Sequence, residues 1–125
     1  MAGFIINIEK KTRQNEYFRE VLFTAPHSQL VIMSLKPNEN IGMEVHPQVD
    51  QFIRIEEGQG KAILNGEESI LEEGSAIVIP AGTEHDIINT SPNQSLKLYT
   101  LYSPPNHPEG TLHQTKAEAE AAEEH

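Results

Sequence analysis

The chain has no cysteine, which excludes disulfides, thiolate nucleophiles and cysteine-based zinc sites. It has no concentrated basic patch either. Nine Lys and Arg stand against nineteen Asp and Glu, for a formal net charge of -10. Binding to a phosphate backbone or an anionic membrane surface needs clustered cations, so no nucleic acid and no membrane are expected as partners. No apolar run approaches transmembrane length, and the N-terminal MAGFIINIEKK carries too short an apolar stretch for a signal peptide, with no basic region before it. The expected localisation is cytoplasmic. Internal repeats and glycine-rich phosphate loops are also missing.

What is present is enough for one core. A length of 125 residues with 37% hydrophobic and 22% charged content fits a single folded domain. Short β-prone runs recur with turn residues between them: Phe4 to Ile8, Tyr17 to Thr24, Gln29 to Leu35, Ile41 to His46, Gln51 to Glu57, Lys61 to Leu64, Glu67 to Leu71, Ser75 to Ile79, Glu84 to Asn89 and Leu96 to Tyr102. Asn65-Gly66 is a strong hairpin signal, because both residues tolerate the positive φ of a type I′ turn. Regular short strands of this kind predict an all-β barrel or sandwich. Leu30 to Met33 is apolar on both faces, so a cover is expected on each side, from the N-terminal strand or from a second subunit. That strand is the physical argument for a homodimer. The barrel domain is placed at residues 1–114. Residues 115–125 read as an acidic tail, either a short surface helix or disordered, with good helix propensity over Thr115 to Glu124 but no apolar stripe.

The chemistry concentrates between Asn38 and Gly60. Glu44 and His46 are two apart and share a face if extended. Gln51 opens the next alternating run, and His85 follows the turn at Pro80-Ala81-Gly82. Gly74, Pro80, Gly82, His85 and Asn89 reproduce at every spacing the pattern G(X)5PXG(X)2H(X)3N, the second motif of the cupin superfamily. The first cupin motif, G(X)5HXH(X)3-4E(X)6G, keeps its spacing over Asn38, Glu44, His46, Gln51 and Gly58, of which three, Asn38, Glu44 and Gln51, differ from the usual letters. The chain therefore resembles a small single-domain cupin over Leu30 to Pro105. It is similar in particular to the cupin part of mannose-6-phosphate isomerase-like proteins.

The resemblance implies a cupin double-stranded β-helix, a jelly-roll barrel with a short acidic C-terminal tail. It also implies a metal site at Glu44, His46, Gln51 and His85 for one divalent ion (Mn, Fe, Ni or Zn). One imidazole of the usual set has become a carboxylate and the usual carboxylate an amide, so the formal charge of the ligand set is kept. Gln51 supplies either a weak oxygen ligand or a hydrogen bond to bound water. Against this stands a metal-free reading, in which the two histidines are ordinary polar residues lining a barrel.

Two functions are open. One is a metal-dependent enzyme on a small oxygen-rich metabolite, isomerase-, epimerase- or dioxygenase-like; the other is a non-catalytic small-molecule-binding or sensor module. No catalytic residue is assigned. A sugar-phosphate substrate is disfavoured, because the nearest basic residues in sequence, Arg54 and Lys61, are expected outside the cavity. Asp50, Glu84 and Asp86 are expected to point outward by alternation, and His27 is expected to be structural. One of Tyr99 and Tyr102 is expected to reach the cavity. His107 and His113 are expected in solvent, unless their segment folds back over the barrel mouth.

Overall fold

A computed structural model describes residues 2–123. The expected tail at 115–125 therefore lies partly outside the described residues. In chain order the elements are α1 (Ile8–Gln14), β1 (Arg19–Thr24), β2 (Gln29–Leu35), β3 (Asp50–Glu57), β4 (Gly60–Leu64), β5 (Glu67–Leu71), β6 (Ala76–Ile79), β7 (His85–Asn89), β8 (Leu96–Ser103), β9 (Leu112–His113) and α2 (Lys116–Glu123). They form a six-stranded sheet of order β6-β3-β8-β2-β1-β9 and a three-stranded sheet of order β5-β4-β7. The core between them is apolar at one end: Met33, Leu35, Ile53, Ile55, Leu96 and Leu98 face Ala62, Leu71 and Ile87. Toward the other end the inner face turns polar, with Gln29, Gln51, Thr100 and Tyr102 buried. The ladders set Gln51 opposite Tyr102 and Tyr102 opposite Gln29. This polar end holds the site.

Turn chemistry behaves as its residues dictate. Asn65 and Gly66 both have positive φ, at 49° and 84°, and Asn38 takes φ 62° in the place of the motif glycine. Asn is one of the few residues that adopts this conformation readily. Gly58 has φ 96°, and a Cβ there would stand 2.5 Å from the Ser95 carbonyl oxygen, so the motif glycine permits close approach of the chain entering β8.

The structure corrects three expectations. Phe4 to Ile8 is no strand: residues 3–7 are irregular and Ile8 begins α1. Asn7 caps that helix by accepting from the Lys10 N–H at 3.1 Å, and good helix formers follow it. Second, α1 rather than a strand packs on the outer face of β2, β3 and β8. Ile32 is fully buried yet outside the main apolar cluster, so its cover comes from within the chain, and β2 no longer argues for a dimer. Third, Ile41 to His46 is not a strand but an extended segment with isolated bridges, Asn40 to Ile88 and Glu44 to His85. The register slips by one residue between them, at Gly42, whose φ is 117°. The slip is a bulge, a device that re-aims side chains near functional sites.

Asp86 adds a fourth difference. It is buried, because the bulged segment covers it: its carboxylate accepts from the Asn40 amide and the Gly42 N–H, each at 2.9 Å. The segment after β8 also folds back. Gln29, buried at the mouth, donates to Thr24 Oγ1 and the His107 carbonyl and accepts from the Asn106 and His107 N–H groups. α2 is helical over Lys116–Glu123, with Ala119 inserted into the core and Lys116 Nζ donating to Asn40 Oδ1 at 2.6 Å. No helix among the described residues is long and apolar enough to cross a membrane.

Candidate metal centre

Glu44 and His46 reach the polar end together because alternation survives in the bulged segment. Met43 and Val45 between and before them are exposed, while Glu44 and His46 are half-buried. Paired bonds fix the segment against β7: the Glu44 N–H donates to the His85 carbonyl at 2.8 Å and the His85 N–H to the Glu44 carbonyl at 2.9 Å. His85, Ile87 and Asn89 then share the inner face of β7 and are all buried. Asn89 takes no part in the site. Its amide donates toward the carbonyls of Leu35, Lys36 and Gln94 and its oxygen accepts from the Ser91 N–H, so this motif residue ties β7 to the chain around it.

One ligand atom each from Glu44, His46 and His85 lies within 4.8 Å of the other two. Glu44 Oε2 and His46 Nε2 are 3.9 Å apart, too far for a hydrogen bond. Atoms about 2.1 Å from a shared ion stand about 3 to 4 Å from one another, so the group can hold a metal ion. The His85 ring is oriented for it. Its Nδ1 lies 2.9 Å from the Thr83 carbonyl oxygen, which can only accept, so Nδ1 carries the proton and Nε2 presents a lone pair.

Gln51 is buried on β3, where its amide N–H donates to Thr100 Oγ1 at 3.0 Å. That bond turns its Oε1 away from Thr100. The Oε1 atom has no partner, and neither have His46 Nε2 and His85 Nε2. Tyr102, the ladder neighbour of Gln51, is the tyrosine that turns inward. Its ring lies edge-on to His46 at 5.9 Å and to His107 at 5.1 Å, and its hydroxyl is 3.3 Å from His107 Nε2. His107 is thus folded back over the mouth, not solvated.

Burial is the largest cause of the shifts in how these groups titrate. It raises Glu44 above the usual carboxylate range, against the opposing pull of Arg19 and His85. It lowers His46, with the positive fields of His85 and Arg19 adding to the effect. His107 is pushed down to about 3, again chiefly by burial, and Tyr102 is raised. Arg19 enters most of these balances, and composition gave no hint of it. It is buried on β1, opposite Met33 and His113, so a basic residue does stand inside the barrel, and its charge is felt at Glu44, His46, Tyr102 and His107. Arg54 and Lys61 are on the outside, paired with Glu56 and Glu68.

This barrel with a polar end fits a known family. A cupin-domain family profile matches residues 31–102, more than half of the chain. The chain belongs to the cupin family. Among its relatives, YrkC, an uncharacterized protein of Bacillus subtilis (strain 168), is 52% identical over 128 residues, covering 97% of this cupin and 68% of that protein. The uncharacterized protein L612 of Acanthamoeba polyphaga mimivirus is 50% identical over 112 residues, 87% of this chain and 70% of its own. Among solved structures, BH2720 of Bacillus halodurans superposes with a TM-score of 0.92 at 45% identity, covering 94% of this cupin and 93% of that chain.

Proposed function

We propose that this cupin holds one divalent ion (Mn, Fe, Ni or Zn) through Glu44, His46, His85 and the Gln51 amide oxygen, and acts as a metal-dependent enzyme on a small oxygen-rich metabolite. One observation carries the reading: His46 Nε2 and His85 Nε2, clustered with the Glu44 carboxylate, and Gln51 Oε1 on the buried face of β3 are all without a hydrogen-bond partner. Buried polar atoms are rarely left so. The Glu44 carboxylate, Gln51 Oε1 and His85 Nε2 are all acceptors. A single water has two hydrogens and leaves one of them unmet, whereas one cation satisfies every acceptor at once. Two imidazoles and a carboxylate suit divalent transition metals and leave coordination positions open.

When bound, such an ion supplies Lewis-acid polarisation of a ligand oxygen. The rest is the work of this chain's own side chains. Tyr102 keeps its hydroxyl proton and His107 stays neutral at physiological pH, so both orient a ligand by hydrogen bonds at Tyr102 Oη and His107 Nε2. The Gln29-anchored turn holds His107 at the mouth.

The same protonation states favour a second reading, a ligand-binding module without turnover, because neither group titrates near neutrality. Metal analysis after reconstitution with Mn, Fe, Ni and Zn tests the centre. About one ion per chain is expected, falling in Glu44→Ala and His85→Ala, and a stoichiometry near zero with all four metals sinks the proposal. The two readings separate on His85→Ala: an enzyme loses turnover, while a module only binds its ligand less tightly.

A further inference from the structure

Arg19 is the single buried cation among the described residues. The other eight basic side chains are at least partly exposed. β1 places Arg19 on the inner face. It shares the parity of Val21, and its ladder partner Met33 belongs to the core, as does Val31 opposite Val21. Among the described residues it makes no ion pair. Its Nε has no hydrogen-bond partner, its Nη1 reaches only His113 Nδ1 at a long 3.5 Å, and its guanidinium carbon sits 5.2 Å over the Phe18 ring. An aromatic face steadies a guanidinium without neutralising it. The buried carboxylates are engaged elsewhere: Asp86 with Asn40 and Gly42, Glu56 with Arg54.

A buried charge is paired or costly. The positive charge of Arg19 acts on Glu44, the one carboxylate of the ligand cluster, yet no ion pair closes between the two among the described residues. With a divalent ion against Glu44, the cavity would carry two uncompensated positive charges. We infer that Arg19 is the anion-holding group of a ligand subsite next to the metal centre, and that the ligand is a small organic acid. Its carboxylate takes the guanidinium fork and a neighbouring oxygen faces Glu44, His46 and His85. A planar fork matches a carboxylate bidentately. A phosphate has three terminal oxygens to hold and calls for more donors than one fork, and among the described residues no other Lys or Arg is buried. Tyr102 and His107 lie on the same inner surface as hydrogen-bonding groups. The inference rests on the proposed metal centre only for the second oxygen of the ligand; the carboxylate contact stands on Arg19 alone.

Calorimetric titration of the metal-reconstituted protein tests it, with glycolate, ethylene glycol and inorganic phosphate as probes. Glycolate binds and ethylene glycol, which lacks the carboxylate, does not. Arg19→Gln weakens glycolate by about 30-fold or more with metal content unchanged, and Arg19→Lys, which keeps the charge without the fork, falls between. Equal glycolate affinity in wild type and Arg19→Gln overturns the inference, as does phosphate binding more tightly than glycolate, or wild type binding no glycolate. Thermal unfolding of the ligand-free variants guards against a framework role: relieved of an unpaired buried charge, Arg19→Gln melts no lower than wild type, and loss of fold in both variants overturns the inference. If wild type holds no metal but glycolate still raises its melting temperature, and not that of Arg19→Gln, the metal reading fails and the subsite stands.

Discussion

At the residue scale the polar end of this cupin is governed by how each buried group is satisfied. Asn89 meets all its needs with backbone partners, so Asn89→Ala leaves carbonyls and an N–H unpaired and is expected to cost about 3 kcal/mol. Urea unfolding measures this, and metal content of the folded fraction stays unchanged because Asn89 is no ligand. His107 is held neutral down to about 3, against an ordinary value of 6.5. A lowered folded pKa means that the unfolded chain takes up its proton first as pH falls. The stability this group contributes is therefore whole above 6.5 and is lost progressively toward 3. His46 acts in the same sense, whereas Glu44, raised by burial, acts oppositely and loses its contribution as pH rises through its folded value. In metal-free protein, His107→Asn should flatten the decline of the urea midpoint across that acid range; an unchanged slope would show that burial does not hold His107 neutral.

At the scale of elements, the mouth depends on one amide. Gln29 begins β2 and grips both Asn106 and His107 through the backbone, while α2 is tied to the bulged segment by Lys116 and Asn40. Gln29→Ala should release the chain around residues 104–107 and destabilise the protein by about 2 kcal/mol, since the two N–H groups it accepts from are left without partners. Hydrogen exchange reads this out as faster exchange at Asn106 and His107 with β3 and β8 unaffected, and protection unchanged at those two amides would contradict it. The same element view separates legible from hidden structure. Asn7 before a run of Glu, Lys and Arg was a helix signal, overshadowed by the β-prone Phe4 to Ile6. The bulge at Gly42 could not be read, because a single extra residue shows only when β7 lies beside it.

At the scale of the whole molecule, metal and fold are linked. An ion that binds only the folded chain stabilises it by about 2.7 kcal/mol at a hundred times its dissociation constant. Denaturation of reconstituted protein should therefore shift down on adding a chelator, and Glu44→Gln should abolish the shift; identical curves with and without chelator would mean that the cluster does not bind. Oligomeric state is a separate matter. With the outer face of β2 covered by α1, a dimer would have to use other apolar surface, such as Val78 on the edge strand β6 or Ile70 on β5, which are 68% and 89% exposed.

The sequence by itself determined the β architecture and the glycine and asparagine turns, because these depend on spacing and on local backbone preference, and its resemblance to the cupin motifs implied Glu44, His46 and His85 as one cluster. It also marked Gln51 as a buried inward group. Only the tertiary structure decided what surrounds them. Apolar residues of both parities flank Arg19, Phe18 and Leu22 on one and Val21 and Phe23 on the other, so alternation could not say whether the guanidinium faced in or out until the ladder with Met33 was known. Asp86, Gln29 and His107 were likewise misplaced or unmarked. Their burial comes from segments far away in the chain that close over them, and pairing between distant segments is a property that no local pattern encodes.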